Sequence, residues 1–182
     1  MSKSLIKLID SALLPAALMI CGKVAGLYLV NKIFNLTWGI ITDPNNFFSV
    51  RIVYSSVEDQ ITATSYSNLI MVLFLLIGFS LILIRALVLH SSHVSPRVIA
   101  QLATNNLMHL VKDSFEIYHE ASVWLILLWL SLAALLINIL LGRAYPWTGI
   151  LCFTCVLLAT ITLLKDVMNE VILAKKKLFT RK

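Results

Sequence analysis

Three long stretches without a charged residue dominate this sequence: residues 61–84, 121–142 and 144–164. A helix needs about 20 apolar residues to cross a bilayer, and each stretch has that length. A fourth apolar stretch, residues 11–31, contains one charge, Lys23. The stretches are continuously apolar, whereas the strands of a membrane barrel alternate polar and apolar residues. The sequence therefore predicts an all-α integral membrane protein with four transmembrane helices. We place these helices at about residues 11–31, 66–88, 121–141 and 145–165.

Composition supports the same class. Of the 182 residues, 59% are hydrophobic and 13% are charged, and the mean hydropathy is +0.90. Soluble domains are roughly 45–50% apolar and about 25% charged, so this chain has too few charges to cover a water-exposed surface. Disorder requires low hydrophobicity and is excluded as well. Four spans leave no room for a separate soluble domain, and we treat residues 1–182 as a single membrane domain.

The start of the chain resembles a secretory signal peptide, with Lys3 and Lys7 before an apolar run. Cleavage sites need small residues, and Lys23 occupies the region where such a site is expected. We therefore expect this segment to be retained as the first transmembrane helix.

Basic residues predict the orientation of the helices. With four spans, both termini and the connection between the second and third spans share one side, and the side richer in Lys and Arg is cytoplasmic. Eleven basic residues fall on that side: Lys3, Lys7, Arg85, Arg97, Lys112, Lys165, Lys175, Lys176, Lys177, Arg181 and Lys182. Only Lys32, Arg51 and Arg143 fall on the other side. We predict a multi-pass protein of the cell (inner) membrane with both termini in the cytoplasm. The net charge of +6 then reflects topology and attraction to lipid headgroups, not nucleic-acid binding.

The first helix carries a packing motif and a charge. Gly22-x-x-x-Gly26 allows close approach of two helices in lipid, and the partner is either another helix of this chain or another subunit. Lys23 lies between the two glycines, and an ionisable residue inside a span is by default a functional hypothesis. Three roles remain open for Lys23: snorkelling or packing, a salt bridge to a partner subunit, or transport. No other span has a central carboxylate, and we expect Asn138 to be the only amide within reach.

The predicted outer loop, residues 43–65, opens with the turn sequence Asp43-Pro44-Asn45-Asn46. Apolar residues then alternate with their neighbours at Phe48, Val50, Ile52 and Tyr54. This pattern is typical of a short strand or of an interfacial segment that enters the headgroup layer.

The cytoplasmic connection between the second and third spans has the clearest amphipathic pattern. Ser95 and Pro96 form a helix start, and polar residues recur at steps of three or four up to His119. We predict one long amphipathic helix over residues 95–119, lying on the cytoplasmic leaflet or docking on a partner. The tail, residues 166–182, continues the fourth span and ends in a basic cluster.

Metal and cofactor chemistry finds little support. His90-x-x-His93 and Glu116-x-x-His119 each resemble half of a metal site, but the sequence contains no second Glu-x-x-His motif. Phosphate-binding, hydrolase and dinucleotide motifs are also absent from the sequence. We expect no bound metal and no cofactor.

Cys152 and Cys155 form a C-x-x-C pair near the outer end of the last span. Together with four helices and cytoplasmic termini, this pair resembles the vitamin K epoxide reductase family. The resemblance implies electron exchange between the pair, a quinone and a second cysteine pair in the outer loop. Residues 43–65 contain no cysteine. The resemblance is confined to one motif and a topology, and the chain is not assigned to that family.

These features together favour a non-catalytic role. We predict a structural, anchoring or assembly subunit of a larger membrane complex, in contact with the lipid bilayer and with other membrane subunits or further copies of itself. Gly22, Lys23 and Gly26 are the predicted contact residues. One alternative is a quinone-linked thiol oxidoreductase that uses Cys152 and Cys155. The other is a small oligomeric channel or transporter that uses Lys23.

Overall fold

A computed structural model describes residues 3–42, 50–88, 95–106 and 114–179, and 85% of the described residues are helical. Within these residues there are five helices and one two-stranded hairpin, in the order α1 (Lys3–Ile33), β1 (Trp38–Thr42), β2 (Val50–Tyr54), α2 (Val57–Val88), α3 (Pro96–Thr104), α4 (Ser114–Leu140) and α5 (Pro146–Phe179).

Four of the described helices are long and apolar enough to cross a membrane. Their apolar segments are Ile9–Ile33 in α1, Val57–Ala86 in α2, Glu116–Leu140 in α4 and Pro146–Leu173 in α5. The prediction of an all-helical chain with four such helices is confirmed. This architecture is compatible with a multi-pass membrane protein.

Helix α2 begins at Val57, whereas the sequence pattern placed the second span from residue 66. The Ser56 hydroxyl accepts a hydrogen bond from the backbone N–H of Asp59 at 3.0 Å. Glu58 and Asp59 lie in the first turn, where negative charge interacts favourably with the helix dipole. These capping contacts allow the helix to include a polar segment that the hydropathy of the sequence assigned to a loop.

The segment between α1 and α2 forms an antiparallel hairpin. Trp38 pairs with Tyr54 and Ile40 pairs with Ile52. The alternation at Val50, Ile52 and Tyr54 thus belongs to a strand, one of the two expected alternatives, while Phe48 lies outside the described residues. Helix α1 ends before this hairpin at Ile33, and Asn35 has a positive φ of 50°. Asparagine tolerates this left-handed conformation better than most residues.

The four long helices pack in sequence order, α1 against α2, α2 against α4, and α4 against α5, with α1 also touching α4 and α2 touching α5. The core between them is a continuous cluster of buried apolar side chains. Its members are Val72, Leu75, Phe79, Ala121, Trp124, Leu128, Leu132, Leu135, Ala144, Cys152, Val156, Ala159 and Leu163.

The bundle has two distinct ends. At the hairpin end, which carries β1, β2 and the α4–α5 connection, the backbone N–H of Tyr145 donates to the Ser65 hydroxyl at 2.8 Å. At the tail end, where α1 and α4 begin and α2 and α5 finish, Arg85 lies 3.9 Å from Glu120. These contacts place successive helices antiparallel to one another.

The single amphipathic helix expected over residues 95–119 is not observed. Helix α3 has the predicted start, because the Ser95 hydroxyl accepts a hydrogen bond from the Val98 N–H at 3.4 Å. It ends at Thr104, and Asn106 has a positive φ of 57°, which interrupts a right-handed helix. Residues 107–113 lie outside the described residues, and 114–119 belong to α4. In the described residues, the amphipathic pattern therefore begins in α3 and ends in α4.

Candidate functional site

The Lys23 side chain lies at the interface of α1 and α2. Its ammonium donates hydrogen bonds to Ser67 Oγ at 2.7 Å and to Asn68 Oδ1 at 2.5 Å. Lys23 stands two residues past the midpoint of the 25-residue apolar segment of α1. At a rise of 1.5 Å per residue, that offset is about 3 Å. We call Lys23, Ser67 and Asn68 the Lys23 cluster.

Two glycines bring the helices close enough for these contacts. A Cβ atom on Gly26 would lie 3.0 Å from both the Cα and the carbonyl oxygen of Ser67. A Cβ atom on Gly22 would lie 3.2 Å from the Cα of Met71. Because these neighbours are backbone atoms, a larger residue at either position would push the helices apart. The Gly22-x-x-x-Gly26 motif therefore faces α2 of the same chain.

The Lys23 cluster has surplus hydrogen-bond donors. Ser67 is fully buried and Asn68 is 5% exposed. Among the described residues, Asn68 Nδ2 has no hydrogen-bond partner, although a buried amide donor is normally satisfied. An ammonium group has three donors, and two are used here. The cluster thus combines a positive charge with an unused amide donor.

Carboxylates are far from the cluster along both helices. In α1 the nearest is Asp10, thirteen residues before Lys23, which corresponds to about 20 Å of helix. In α2 the nearest is Asp59, nine residues before Asn68, or about 13 Å. Among the described residues, no ion pair involves Lys23. The acceptors of its two hydrogen bonds are neutral oxygen atoms.

The amide that reaches Lys23 is Asn68, not the predicted Asn138. The half-buried Asn138 side chain donates to the Ala134 carbonyl of its own helix at 2.9 Å. Asn68 was overlooked because a span starting at residue 66 places it at the edge of the membrane. The available signal was the polar group Ser65, Ser67 and Asn68 within an otherwise apolar helix.

Further buried polar groups lie between the Lys23 cluster and the hairpin. Asn31 is 8% exposed and lies beside the Tyr54 hydroxyl. Neither that hydroxyl nor Asn31 Oδ1 has a hydrogen-bond partner among the described residues. Burial raises the pKa of Tyr54 above its ordinary value of 10.0, and the nearby Asn31 amide opposes part of this shift.

The three cysteines are all free thiols. Cys152 is 3% exposed and belongs to the buried core, Cys155 is half-buried, and Cys21 is exposed on α1. A buried thiol surrounded by apolar side chains is typical of a structural cysteine.

The structure describes one of the four histidines, His119. His90, His93 and His109 lie outside the described residues, and His119 is half-buried in α4. The part of the chain that the structure describes holds no group of three or more His, Cys, Asp or Glu residues able to bind a metal ion.

No protein-family model, curated protein or solved structure matches this chain. Among the described residues, the most unusual polar feature inside a candidate membrane span is the Lys23 cluster.

Proposed function

We propose that this protein is a non-catalytic structural or assembly subunit of a larger membrane complex. The observation that carries the proposal is the Lys23 cluster, which places a positive charge near the middle of a candidate span with only neutral hydrogen-bond acceptors. Gly22 and Gly26 contact α2 of the same chain, so they do not form the contact with another subunit. We therefore propose that the Lys23 ammonium makes the contact with the partner subunit.

A charge at this depth is costly without a counter-charge. Insertion scales assign roughly 2.5–3.5 kcal/mol to a lysine at the centre of a membrane helix. Hydrogen bonds between membrane helices average about 0.6 kcal/mol, so two bonds to Ser67 and Asn68 offset only part of this cost. A carboxylate on a transmembrane helix of a partner would accept from the third ammonium donor and neutralise the charge. We propose such an acidic partner helix as the recognition element of the assembly.

The proposed setting is the cell membrane, with both termini and α3 in the cytoplasm. The support is the excess of Lys and Arg in the segments at the tail end of the bundle. In helix α3, Val98 and Leu102 are half-buried while Arg97 and Gln101 are exposed. A short helix with this division fits the surface of the cytoplasmic leaflet.

The test is the native mass of the full-length protein extracted in mild detergent, with and without the charge. Lys23→Met removes the ammonium, Lys23→Arg retains a positive charge, and Lys32→Met removes an exposed charge near the end of the same helix. Wild type, Lys23→Arg and Lys32→Met are expected to migrate as a large assembly. Lys23→Met is expected to migrate as the free chain.

Mass spectrometry of the assembly should then identify a partner with a carboxylate inside a transmembrane helix. Thermal unfolding of each variant separates loss of assembly from loss of the fold. We expect Lys23→Met to retain its fold, because the substitution makes the span more apolar. A wild-type protein that remains a stable monomer, or a Lys23→Met variant that assembles normally, would overturn the proposal.

A further inference from the structure

A crevice with charged groups at its mouth opens at the tail end of the bundle. It lies between α1, α2 and α4 and has a volume of about 330 Å³, within the range of roughly 300–1,000 Å³ typical of small-molecule sites. Asp10, Arg85 and Glu120 line it. Each of these groups comes from a different helix, so the crevice depends on the packed bundle.

The charged groups lie at the level where the apolar segments end. Asp10 is the second residue of the apolar segment of α1, Arg85 is the last but one in α2, and Glu120 is the fifth in α4. Such positions correspond to the headgroup layer of a bilayer, where charged and amphipathic groups are favoured. A lipid headgroup would therefore meet these three side chains at its own depth.

Apolar side chains line the deeper part of the crevice. Leu14 and Leu18 continue down α1 from Asp10, and Leu81 faces them from α2. From Asp10 to Leu18 the helix rises about 12 Å. Opposite them, Trp124 packs on Gly78, where a Cβ atom would lie 2.0 Å from the indole Cζ3. The glycine allows the indole to form a wall of the crevice.

We propose that this crevice binds one phospholipid with a primary-ammonium zwitterionic headgroup, as in phosphatidylethanolamine. The ammonium would donate to Asp10 and Glu120, while Arg85, which lies 3.9 Å from Glu120, would contact the phosphate. The upper part of an acyl chain would lie against Leu14, Leu18 and Leu81.

Charge and hydrogen bonding determine this choice of lipid. Among the described lining residues, two carboxylates and one guanidinium carry a net charge of −1, which disfavours anionic headgroups. A choline headgroup carries the same charges as ethanolamine but has no N–H donor for the carboxylates. Hydrogen bonds to charged groups contribute more than neutral ones, so the site favours ethanolamine over choline.

Native mass spectrometry of the full-length protein with added lipids tests the proposal. Phosphatidylethanolamine, phosphatidylcholine and phosphatidylglycerol with identical acyl chains are compared at equal concentrations. Wild type is expected to bind phosphatidylethanolamine about tenfold more tightly than either competitor, the ratio that one charged hydrogen bond provides.

Three variants test the location of the site and its headgroup preference. Leu14→Trp fills the crevice from a side chain that is 61% exposed, and Leu13→Trp places the same bulk at a 69% exposed neighbour that does not line it. Leu14→Trp is expected to reduce phosphatidylethanolamine binding about tenfold, and Leu13→Trp is expected to leave it unchanged. Asp10→Asn should reduce the preference for ethanolamine over choline while overall lipid binding persists.

Three outcomes would overturn the proposal: equal binding of ethanolamine and choline lipids by wild type, a preference for the anionic lipid, or equal effects of the two tryptophan substitutions. Thermal unfolding of each variant verifies that the fold is retained. The Lys23 cluster is not involved, so this result is independent of the assembly test.

Discussion

The apolar core continues through both halves of the bundle, but the buried polar side chains are concentrated in only one of them. Toward the hairpin end, buried polar side chains lie between the helices, among them Asn31, Ser65, Ser67, Asn68 and Thr148. Toward the tail end, the interior is apolar, with Leu75, Phe79, Trp124 and Leu128 packed together, and the Arg85–Glu120 pair lies at the periphery.

In lipid this difference has energetic consequences. Apolar side chains gain no hydrophobic free energy by leaving the hydrocarbon, so the apolar half depends on close van der Waals packing. In the polar half, each buried group depends on a particular partner, because an unsatisfied group in hydrocarbon is costly. We therefore expect the apolar half to be sensitive to changes in volume and the polar half to be sensitive to the loss of single partners.

The largest effect is expected from overpacking the apolar half. In Gly78→Ala, the new Cβ atom would lie 2.0 Å from Trp124 Cζ3, so the indole must move. Overpacking typically costs about 1–3 kcal/mol, and we expect the upper part of that range. Gly39→Ala is the control because nothing lies within 4 Å of its added Cβ. Unfolding curves in detergent measure the free energy of unfolding of both variants. Equal stability of the two variants would contradict close packing of Trp124 on Gly78.

Loss of the Asn68 amide is the strongest test of the polar half. Asn68→Leu removes the 2.5 Å acceptor of Lys23, and leaving a buried group unsatisfied costs about 1–3 kcal/mol. Asn138→Leu is the matched control, because that amide is only half-buried and bonds within its own helix. We expect that variant to stay within about 0.5 kcal/mol of wild type.

A double-mutant cycle separates the charge from the packing at this site. Adding Lys23→Met to Asn68→Leu removes the group left without its partner, and we expect most of the lost stability to return. Additive destabilisation by the two substitutions would show that the Lys23–Asn68 hydrogen bond does not couple the helices.

A smaller loss is expected at the contact between Ser65 and the α4–α5 connection. Ser65→Ala removes the acceptor for the Tyr145 N–H, which lies 2.8 Å away, at a cost of about 1 kcal/mol. Ser122→Ala is the control, since that exposed hydroxyl donates only to the Tyr118 carbonyl of its own helix. If the two variants have the same free energy of unfolding, the polar half does not depend on individual hydrogen-bond partners.

The smallest effect concerns pH. Burial raises the pKa of Tyr54 above 10.0, so the neutral phenol favours the folded state. This contribution is fully present below pH 10 and is lost as the pH rises through the folded-state pKa. The phenolate absorbance titration of wild type minus that of Tyr54→Phe isolates the Tyr54 component, which should titrate above pH 10 in the folded protein and near pH 10 in the unfolded chain. A difference component at or below pH 10 in the folded protein would contradict this prediction.

The four membrane-length helices were predictable because apolar runs of that length adopt few structures other than a membrane-spanning helix. Their ends were harder to locate. The segment after Val57 is rich in polar residues and resembles a loop, yet Ser65 and Ser67 are fully buried. The start of the hairpin was missed because Trp38–Thr42 continues the apolar run of α1, and the break lies at Asn35 with its left-handed conformation.

Lys23 could be identified as unusual from the sequence, but its partners could not. They depend on the register between α1 and α2, which the close contacts of Gly22 and Gly26 determine. Sequence spacing describes one helix at a time, and the facing residue of a second helix is known only once both are packed.

The hydrogen bonds of Lys23 also imply an order of events during biosynthesis. Both acceptors lie downstream, 44 and 45 residues after the lysine. The ribosome therefore delivers α1 before the groups that stabilise its charge exist. The apolar segment of α1 is also less hydrophobic than that of α2, with a mean hydropathy of 1.9 against 2.7. We expect α1 to wait at the translocon and to enter the bilayer together with α2, as a pair.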